Sequence, residues 1–545
     1  MELIATLRAR AEQVTALQGN DCASEFKIQY DLLKRSMIEY KQKANYWEAQ
    51  FNQIKSEENK LKKEIEELKA ALHKREQQLF GKKSEKKSNF SESSAAKTQK
   101  NRGQQPGSKG HGRRDHGHLP VIEETLSLCE ESCPCCGLFY ETLEDTEDSS
   151  VLEIINVQAY QRAIKRKKYK RTCSCEKNLF PQIIAAPVVE KLLPKSSLGI
   201  SIWASLLVNK YGYQNPLYRT LKQWRDHGLN LAMGTVTDGF QKILPLLMPV
   251  YDAVVQRSLM AEHWHADETR WKVFETIEGK KNNNWFLWIF NNNETVVFRL
   301  DPSRSSKVVS SHFGQQHNGG TLNVDRYVAY KVIAKAGLFV LAFCWAHVRR
   351  DFLNYNKGYP HHEAWGLAWT DRINNLYHIN NERIKYEKTT SEFREQDNLL
   401  KQALIHMQEQ FEKEIKEPAL PPSAKKLLVS LKKHWGGLTI FSKNPEVPMD
   451  NNSAERGLRP SVCGRKNYYG SGAVWSGELA TVLFSLFETL KLWNINIHTW
   501  VLAYFHECAT SGSKAPTDVK RFLPWEMTEQ QKILLSHPPR YENSE

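Results

Sequence analysis

The sequence predicts a multidomain α+β protein. Three observations point there: a length of 545 residues, a change of hydrophobic period from helical to strand-like after Met260, and a long charged helical stretch between the last strands and the C-terminal part. A single core seldom grows past about 250 to 300 residues, so a chain this long divides into modules. The expected order is an N-terminal helical region (1–80), a basic linker (81–118), a cysteine-bearing module (119–185), a helical segment (186–258), a strand-rich domain (259–500) with a helical insertion at about 351–445, and a C-terminal segment (501–545).

From Leu33 the apolar residues step by four and three: Leu33, Met37, Tyr40, Ala44, Trp47, Phe51, Ile54, then Leu61, Ile65, Leu68, Leu72 and Leu79. This is a heptad seam flanked by Glu and Lys, which suits a coiled coil and predicts homo-oligomerisation through Leu33 to Leu79. Glu58 and Arg75 interrupt the seam. The competing expectation is one helix packed on its own domain.

Charge bounds the partner. The formal net charge is +14, and the bases are clustered: Lys82 to Arg114 holds ten Lys or Arg against two acids, and Arg162 to Arg171 holds seven bases in ten residues. Polyanions bind such surfaces by releasing counterions. The stretch from Gly81 to His118 lacks apolar periodicity and cannot bury a core. Its Gly103 to Arg114 segment, with Lys109, Arg113 and Arg114, has the composition of an arm that could lie along a DNA groove. Lys167 and Lys168 in the second run are further candidate DNA contacts. Solvated charge is the plain alternative for either run. No run of about 20 apolar residues occurs and the N-terminus lacks a signal-peptide pattern, so a soluble, unprocessed, intracellular protein without membrane partners is expected.

The chain has ten cysteines, five of them grouped as Cys133, Cys135, Cys136, Cys173 and Cys175 around strand-like text. Two cysteine knuckles flanking strands predict a zinc ribbon with Cys133, Cys136, Cys173 and Cys175 as thiolate ligands of a structural Zn2+. Cys135 competes with Cys136, and the second knuckle has one intervening residue where two are usual. Free buried thiols are the alternative.

Ile200 to Tyr211 is apolar at helical spacing, Asn215-Pro216 opens a second helix through Trp224 that Gly228 closes, and Thr235 to Met248 continues the pattern. The pair around Gly228 could form a DNA-reading helix-turn-helix or simply pack. Strand-like text follows at His265 to Trp271, Trp285 to Phe290 and Thr295 to Leu300, then a helix from Ser303 to Gln315 and strands at Gly320 to Val324 and Leu338 to Trp345. Three antiparallel strands, a helix and further strands resemble an RNase H-like core. That core would set Asp267 on its first strand beside Asp325 at the end of a neighbour. Asp450-Asn-Asn-Ser-Ala-Glu455-Arg-Gly-Leu-Arg459 begins with cap residues and reads as a helix presenting Glu455 and Arg459 on one face.

Paired carboxylates on rigid elements are what magnesium requires, because this hard ion takes oxygen ligands in an octahedral shell. Two such ions about 4 Å apart activate an attacking oxygen and stabilise a leaving one. Asp267 and Asp325 lie 58 residues apart and Asp325 and Glu455 lie 130 apart, so a helical insertion is expected in the second interval. Singly, each acid is more commonly a solvated charge.

The motifs together resemble the bacterial insertion-sequence sixty-six family of transposases. They are Leu79-Phe-Gly-Lys-Lys-Ser-Glu85, the Gly103 to Arg113 arm, Cys133-Pro-Cys-Cys136-Gly, Pro216-Leu-Tyr-Arg219, His265-Ala-Asp267-Glu-Thr, Val324-Asp325-Arg-Tyr-Val-Ala-Tyr330, Cys344-Trp-Ala-His347-Val-Arg-Arg350-Asp-Phe, Asp450-Asn-Asn-Ser-Ala-Glu455-Arg-Gly-Leu-Arg-Pro460 and Gly464-Arg-Lys-Asn-Tyr468. The resemblance implies a DDE transposase in which Asp267, Asp325 and Glu455 are catalytic and bind two Mg2+ or Mn2+ ions. Water attacks the phosphodiester at the element's ends, and the freed 3′ hydroxyl attacks target DNA. It also implies accessory proteins of the same element as partners, and a cytoplasmic, nucleoid-associated location. His347, Arg349, Arg350, Arg456, Arg459, Arg465 and Lys466 are expected DNA contacts, since guanidinium matches phosphate in bidentate fashion; a solvated basic helix face is the alternative. Arg326 stands where the family pattern leads one to expect a glycine. A catalytically silent DNA-binding regulator, or another nuclease on the same core acting on Holliday junctions or RNA hybrids, would keep parts of this pattern.

Overall fold

A five-stranded mixed sheet organises the described residues, its strands lying side by side in the order Val296–Asp301, Asn284–Asn291, His263–Lys272, Thr321–Val324 and Val340–Phe343. In this computed structural model the described residues are Ala9, 20–80, 168–170, 183–185, and 189–539 apart from 279, 281, 315–318, 336 and 338. They all fall in one of two compact units, Met1–Gly81 with Gln161–Glu545; the other, Lys82–Tyr160, contains none of them. The cysteines Cys133, Cys135, Cys136, Cys173 and Cys175 and the bases Lys109, Arg113, Arg114 and Lys167 lie outside the described residues.

Helix α1 (Asn20–Phe80) is a single 61-residue rod. Its heptad residues Leu33, Met37, Tyr40, Trp47, Phe51, Ile54, Leu61, Ile65, Leu68 and Leu72 are between 47% and 70% exposed in the single chain. Near its C-terminal end, Ala70 packs against Tyr355, Tyr359 and Ala424, and Glu67 pairs with Lys426 at 3.3 Å. Lys168 opens β1 (Lys168–Lys170), which pairs antiparallel with β2 (Ile183–Ala185).

Helix α2 (Ile200–Leu207) runs into a π turn at Val208–Gly212, closed by the Tyr213 N–H on the Val208 carbonyl at 3.0 Å. The period read from sequence places α-helix through Tyr211; the widened turn keeps Val208 and Tyr211 both buried. After α3 (Leu217–Asp226) and Gly228 at φ 89°, α4 (Met233–Leu259) is longer than its sequence pattern indicates and contains Pro245 and Pro249. Proline removes a helix donor and usually ends the run. Here Ile243, Leu247, Val250, Tyr251, Val254 and Val255 bury a continuous face that holds the helix through both prolines.

Strands β3 (His263–Lys272), β4 (Asn284–Asn291) and β5 (Val296–Asp301) are antiparallel, while β6 (Thr321–Val324) pairs parallel with β3 and β7 (Val340–Phe343) parallel with β6. Helix α5 (Ser306–Phe313) links β5 to β6, and α6 (Val328–Lys335) links β6 to β7. One face of the sheet, with Trp264, Ala266, Trp288 and Phe290, packs on Val308, Val309, Phe313 and Tyr330 from these two helices. The other face, with Trp271, Ile289 and Phe298, belongs to a larger core shared with α2 and α4, and with α12 (Asn452–Tyr468), α13 (Val474–Leu492) and α14 (Ile497–Thr510).

Between β7 and α12 lies a helical subdomain of α7 (Trp345–Gly358), α8 (Glu363–Arg383), α9 (Ser391–Lys416), α10 (Pro422–Leu438) and the short α11 (Ile440–Lys443), with its own core around Trp345, Phe352, Trp369, Leu400 and Leu431. Within the insertion expected at about 351–445, residues 363–416 form two helices joined by a short turn. Thr390 caps the second by accepting the Phe393 N–H at 3.2 Å. The buried Arg383 closes the hairpin on Asp397 at 2.9 Å and on the carbonyls of Phe441 and Ser442. A last short helix, α15 (Glu529–Ser536), follows. Among the described residues no helix is long and apolar enough to cross a membrane.

Candidate functional site

Strand register brings the first two acids together. In the parallel β3/β6 ladder Trp264 faces Leu322 and His265 faces Asn323, so the same offset sets Asp267 alongside Asp325, the residue directly after β6. The pairing ends at His265 and Asn323, two residues short of both aspartates, and the two carboxylates are near enough for the charge of Asp325 to act on Asp267. The Asp325 carboxylate accepts the Tyr327 N–H at 2.9 Å, and Asp267 accepts the Glu268 N–H at 2.8 Å.

Glu455 comes from the first turn of α12, whose placement depends on buried polar residues. Asn451 stands at the N-cap, but its side chain does not cap the helix. It turns to the sheet instead, donating to the Ala266 carbonyl at 2.7 Å and meeting His265 Nδ1 at 2.9 Å. Asp450 takes the capping role, accepting the Asn452 N–H at 3.0 Å. Asn323, fully buried on β6, donates to the carbonyls of Pro448 at 2.8 Å and Asp450 at 3.1 Å and lies 2.9 Å from His263 Nε2. Four polar side chains therefore dock the start of α12 over the Asp267 end of β3. Gly457 continues the contact, since a Cβ there would lie 2.5 Å from Ile289 Cδ1.

The electrostatics follow from the geometry. Burial raises the Asp267 carboxyl from an ordinary 3.8 to about 7, helped by the charges of Glu268, Asp325 and Glu455 and opposed by the Glu268 N–H. Burial and the neighbouring His263 lower His265 to about 4, so that ring is neutral. From α7, His347 Nε2 lies 3.6 Å and Arg350 4.0 Å from the Glu455 carboxylate. Burial and Arg350 hold His347 below its ordinary value, with Glu455 opposing.

Asp267, Asp325 and Glu455 are carboxylates, the hard-oxygen chemistry that magnesium or manganese takes, and Asp267 has no cationic partner of its own in the ion pairs of the described residues. That oxygen chemistry suits a divalent cation. In the spacing seen, no group of three or more His, Cys, Asp or Glu among the described residues is tight enough to hold a metal ion. Glu455 faces His347 and Arg350 of α7 instead.

The expected DNA contacts divide. Arg456, Arg459 and Lys466 are exposed on α12, and Arg350 is 44% exposed beside Glu455. Arg349 is committed to α8, donating to Asn374 at 3.0 Å. Arg465 is tied to β3, donating to the Thr269 hydroxyl at 3.0 Å and to the Arg270 carbonyl. Arg326 pairs with Asp351 of α7 and donates to Ser430 of α10 at 3.2 Å, which accounts for a long side chain there: it ties the Asp325 turn to the helical subdomain.

Sequence reading missed one group entirely. The Glu268 side chain is 1% exposed and accepts from Arg304 Nε at 2.7 Å and from the Tyr330 hydroxyl at 2.6 Å. Arg304 lies over the Tyr327 ring at 3.9 Å, and the Tyr327 hydroxyl donates back to the Arg304 carbonyl at 3.0 Å. This network anchors the turn after Asp325 from the sheet's other face. Strand alternation, which sends Asp267 and Glu268 to opposite faces, was the available signal.

A family model described as "Transposase IS66 family" matches residues 195–479, a span that contains Asp267, Asp325, Glu455 and the helical subdomain. Three proteins of Sinorhizobium fredii are similar over most of their length. "Uncharacterized protein y4jD" is 25% identical over 75% of this chain and 80% of its own. "Uncharacterized protein y4hP" is 24% identical over 72% and 73%, and "Uncharacterized protein y4qI" 24% identical over 75% and 76%.

Proposed function

The chain belongs to the IS66 family of transposases, and we propose that it is a DDE transposase that binds the ends of an insertion element, hydrolyses phosphodiester bonds there and joins the 3′ hydroxyl ends to target DNA. The β3/β6 register supports this most strongly: Asp267 and Asp325 each follow the last paired residues by two, at the end of β3 where the helix bearing Glu455 is docked. The strand order, with three antiparallel strands followed by two parallel ones, supports an RNase H-like core over 259–500 with its helical insertion.

Asp267, Asp325 and Glu455 would hold the divalent ions. Bound there, two Mg2+ or Mn2+ ions would supply the charge that activates an attacking oxygen and stabilises a leaving one. The protein's part is positioning. Asn451 and Asn323 fix the Glu455 helix to the strands, and Glu268 with Arg304 fixes the turn that follows Asp325. Near pH 7 the Asp267 carboxyl is partly protonated, so cation binding is coupled to release of its proton. Arg350 beside Glu455 and the exposed Arg456, Arg459 and Lys466 of α12 would offer positive charge to phosphate. The α1 seam would join copies of the chain, and Cys133, Cys136, Cys173 and Cys175 would hold structural zinc.

Cleavage and joining of element-end DNA by purified protein in magnesium tests the proposal. Wild type should cut and join, while Asp267→Ala, Asp325→Ala and Glu455→Ala bind the DNA and do neither. A wild type that binds but stays inert with accessory proteins supplied would instead be a silent DNA-binding regulator.

A further inference from the structure

Beyond Asp267, strand β3 leaves the sheet's interior. Strand β6 pairs with it only at His263–His265, and the far half of that edge is taken by Arg465, which reaches Thr269 and the Arg270 carbonyl. A cleft of about 300 Å3 opens there, lined by Glu268, Thr269, Arg270, Phe286, Arg304 and Arg465. Arg270 faces Phe286 in the antiparallel β3/β4 register, so a cation and an aromatic ring share one wall. Glu268 neutralises Arg304. Arg270 and Arg465 have no carboxylate partner among the described residues.

We propose that this cleft binds one nucleotide of a single DNA strand, its phosphate on Arg270 and Arg465 and its base against Phe286. This deepens the transposase function and rests on it: Arg270 lies three residues of extended strand, about 10 Å, from Asp267 and on the opposite face of β3, so a DNA strand passing around this open edge would place here a nucleotide flanking the scissile phosphate. Guanidinium groups match phosphate oxygens, and an aromatic face accepts any base. The volume is at the lower end of ligand pockets, enough for a nucleotide and too small for a duplex. A base can reach Phe286 only when it has left its stack, so the site favours frayed or opened element ends.

The test uses full-length protein and a short fluorescein-labelled oligothymidylate, with a labelled duplex of equal length as control, read by anisotropy in EDTA. Arg270→Ala and Phe286→Leu should each weaken single-strand binding about tenfold, while Phe286→Tyr restores it and duplex binding changes by less than about twofold. The pocket is overturned if wild type does not bind the oligothymidylate, if either variant binds it as wild type does, or if single strand and duplex weaken equally. Cleavage of element ends separates the two proposals. A wild type that cuts and joins while the variants bind normally loses the pocket and keeps the transposase function. A wild type that binds the single strand in a Phe286-dependent way but never cuts keeps the pocket and loses the function.

Discussion

Asn451 donates to the carbonyl of Ala266 at 2.7 Å, so the residue at the start of the Glu455 helix is fixed to the strand position immediately before Asp267. The two residues are 185 apart in sequence. Their bond sets the distance between the first and third carboxylates more directly than any contact of the carboxylates themselves.

Asn451→Ala should therefore damage both stability and activity. It leaves the Ala266 carbonyl and His265 Nδ1 without this partner in a buried setting, at a cost of about 2–3 kcal/mol. Urea unfolding would show the loss as a lowered midpoint with unchanged slope. Strand cleavage should fall by more than about tenfold under conditions where the variant remains folded; full cleavage by folded protein would show that α12 is held by other contacts.

The raised Asp267 carboxyl makes stability depend on pH in a defined direction. Its folded value near 7 exceeds its ordinary 3.8, so the folded state binds the proton more tightly. The destabilisation is absent below about pH 4, grows as pH rises toward 7, and is complete above it. A move of this size corresponds to at most about 4 kcal/mol, reduced to about 1–2 kcal/mol by the water that reaches the group. In EDTA, Asp267→Asn should raise Tm by a few degrees at pH 8 and by less at pH 5. Magnesium should raise the Tm of wild type more than that of the variant. A variant gain that is equal at both pH values would contradict the assignment.

Glu268 and Arg304 form a pair whose two members are unequally exposed, 1% against 42%. Removing the cation strands a buried carboxylate, so Arg304→Met should cost about 2–3 kcal/mol, and Glu268→Gln about 1 kcal/mol because the amide keeps a partner for Tyr330. The double variant should be close to Glu268→Gln alone. A double-mutant cycle by chemical unfolding measures the coupling, expected above about 1 kcal/mol.

The exposed α1 seam should make the mass of the protein in solution depend on that helix. Leu61→Glu with Leu68→Glu places charges on positions 58% and 63% exposed in the single chain, so it should leave folding stability nearly unchanged while reducing the mass by sedimentation to that of one chain. Identical sedimentation of variant and wild type would rule out α1 as the joining surface.

Much of the secondary structure was legible because it is written in local period. Alternation at His265 to Trp271 and apolar runs at Trp285 to Phe290 and Thr295 to Leu300 reappear as β3, β4 and β5 within one or two residues at each end. The heptad positions of α1 are likewise visible in sequence, because a helix repeats its face every few residues. The extension of α4 through Pro245 and Pro249 was not, since burial against the core outweighs a local penalty that sequence alone displays.

The sequence by itself determined the family motifs, the positions of Asp267, Asp325 and Glu455, and the need for a helical insertion between the last two. Only the tertiary structure decided which neighbours those residues have. Asn451 carries the signature of a helix cap yet spends its side chain on β3, Arg465 reads only as a DNA contact yet also braces the strand edge, and Glu268 reads as a bystander yet anchors the turn after Asp325. The physical reason is common to all three. A polar side chain removed from water must find a partner, and which partner is within reach is settled by how distant segments pack, which local pattern does not encode.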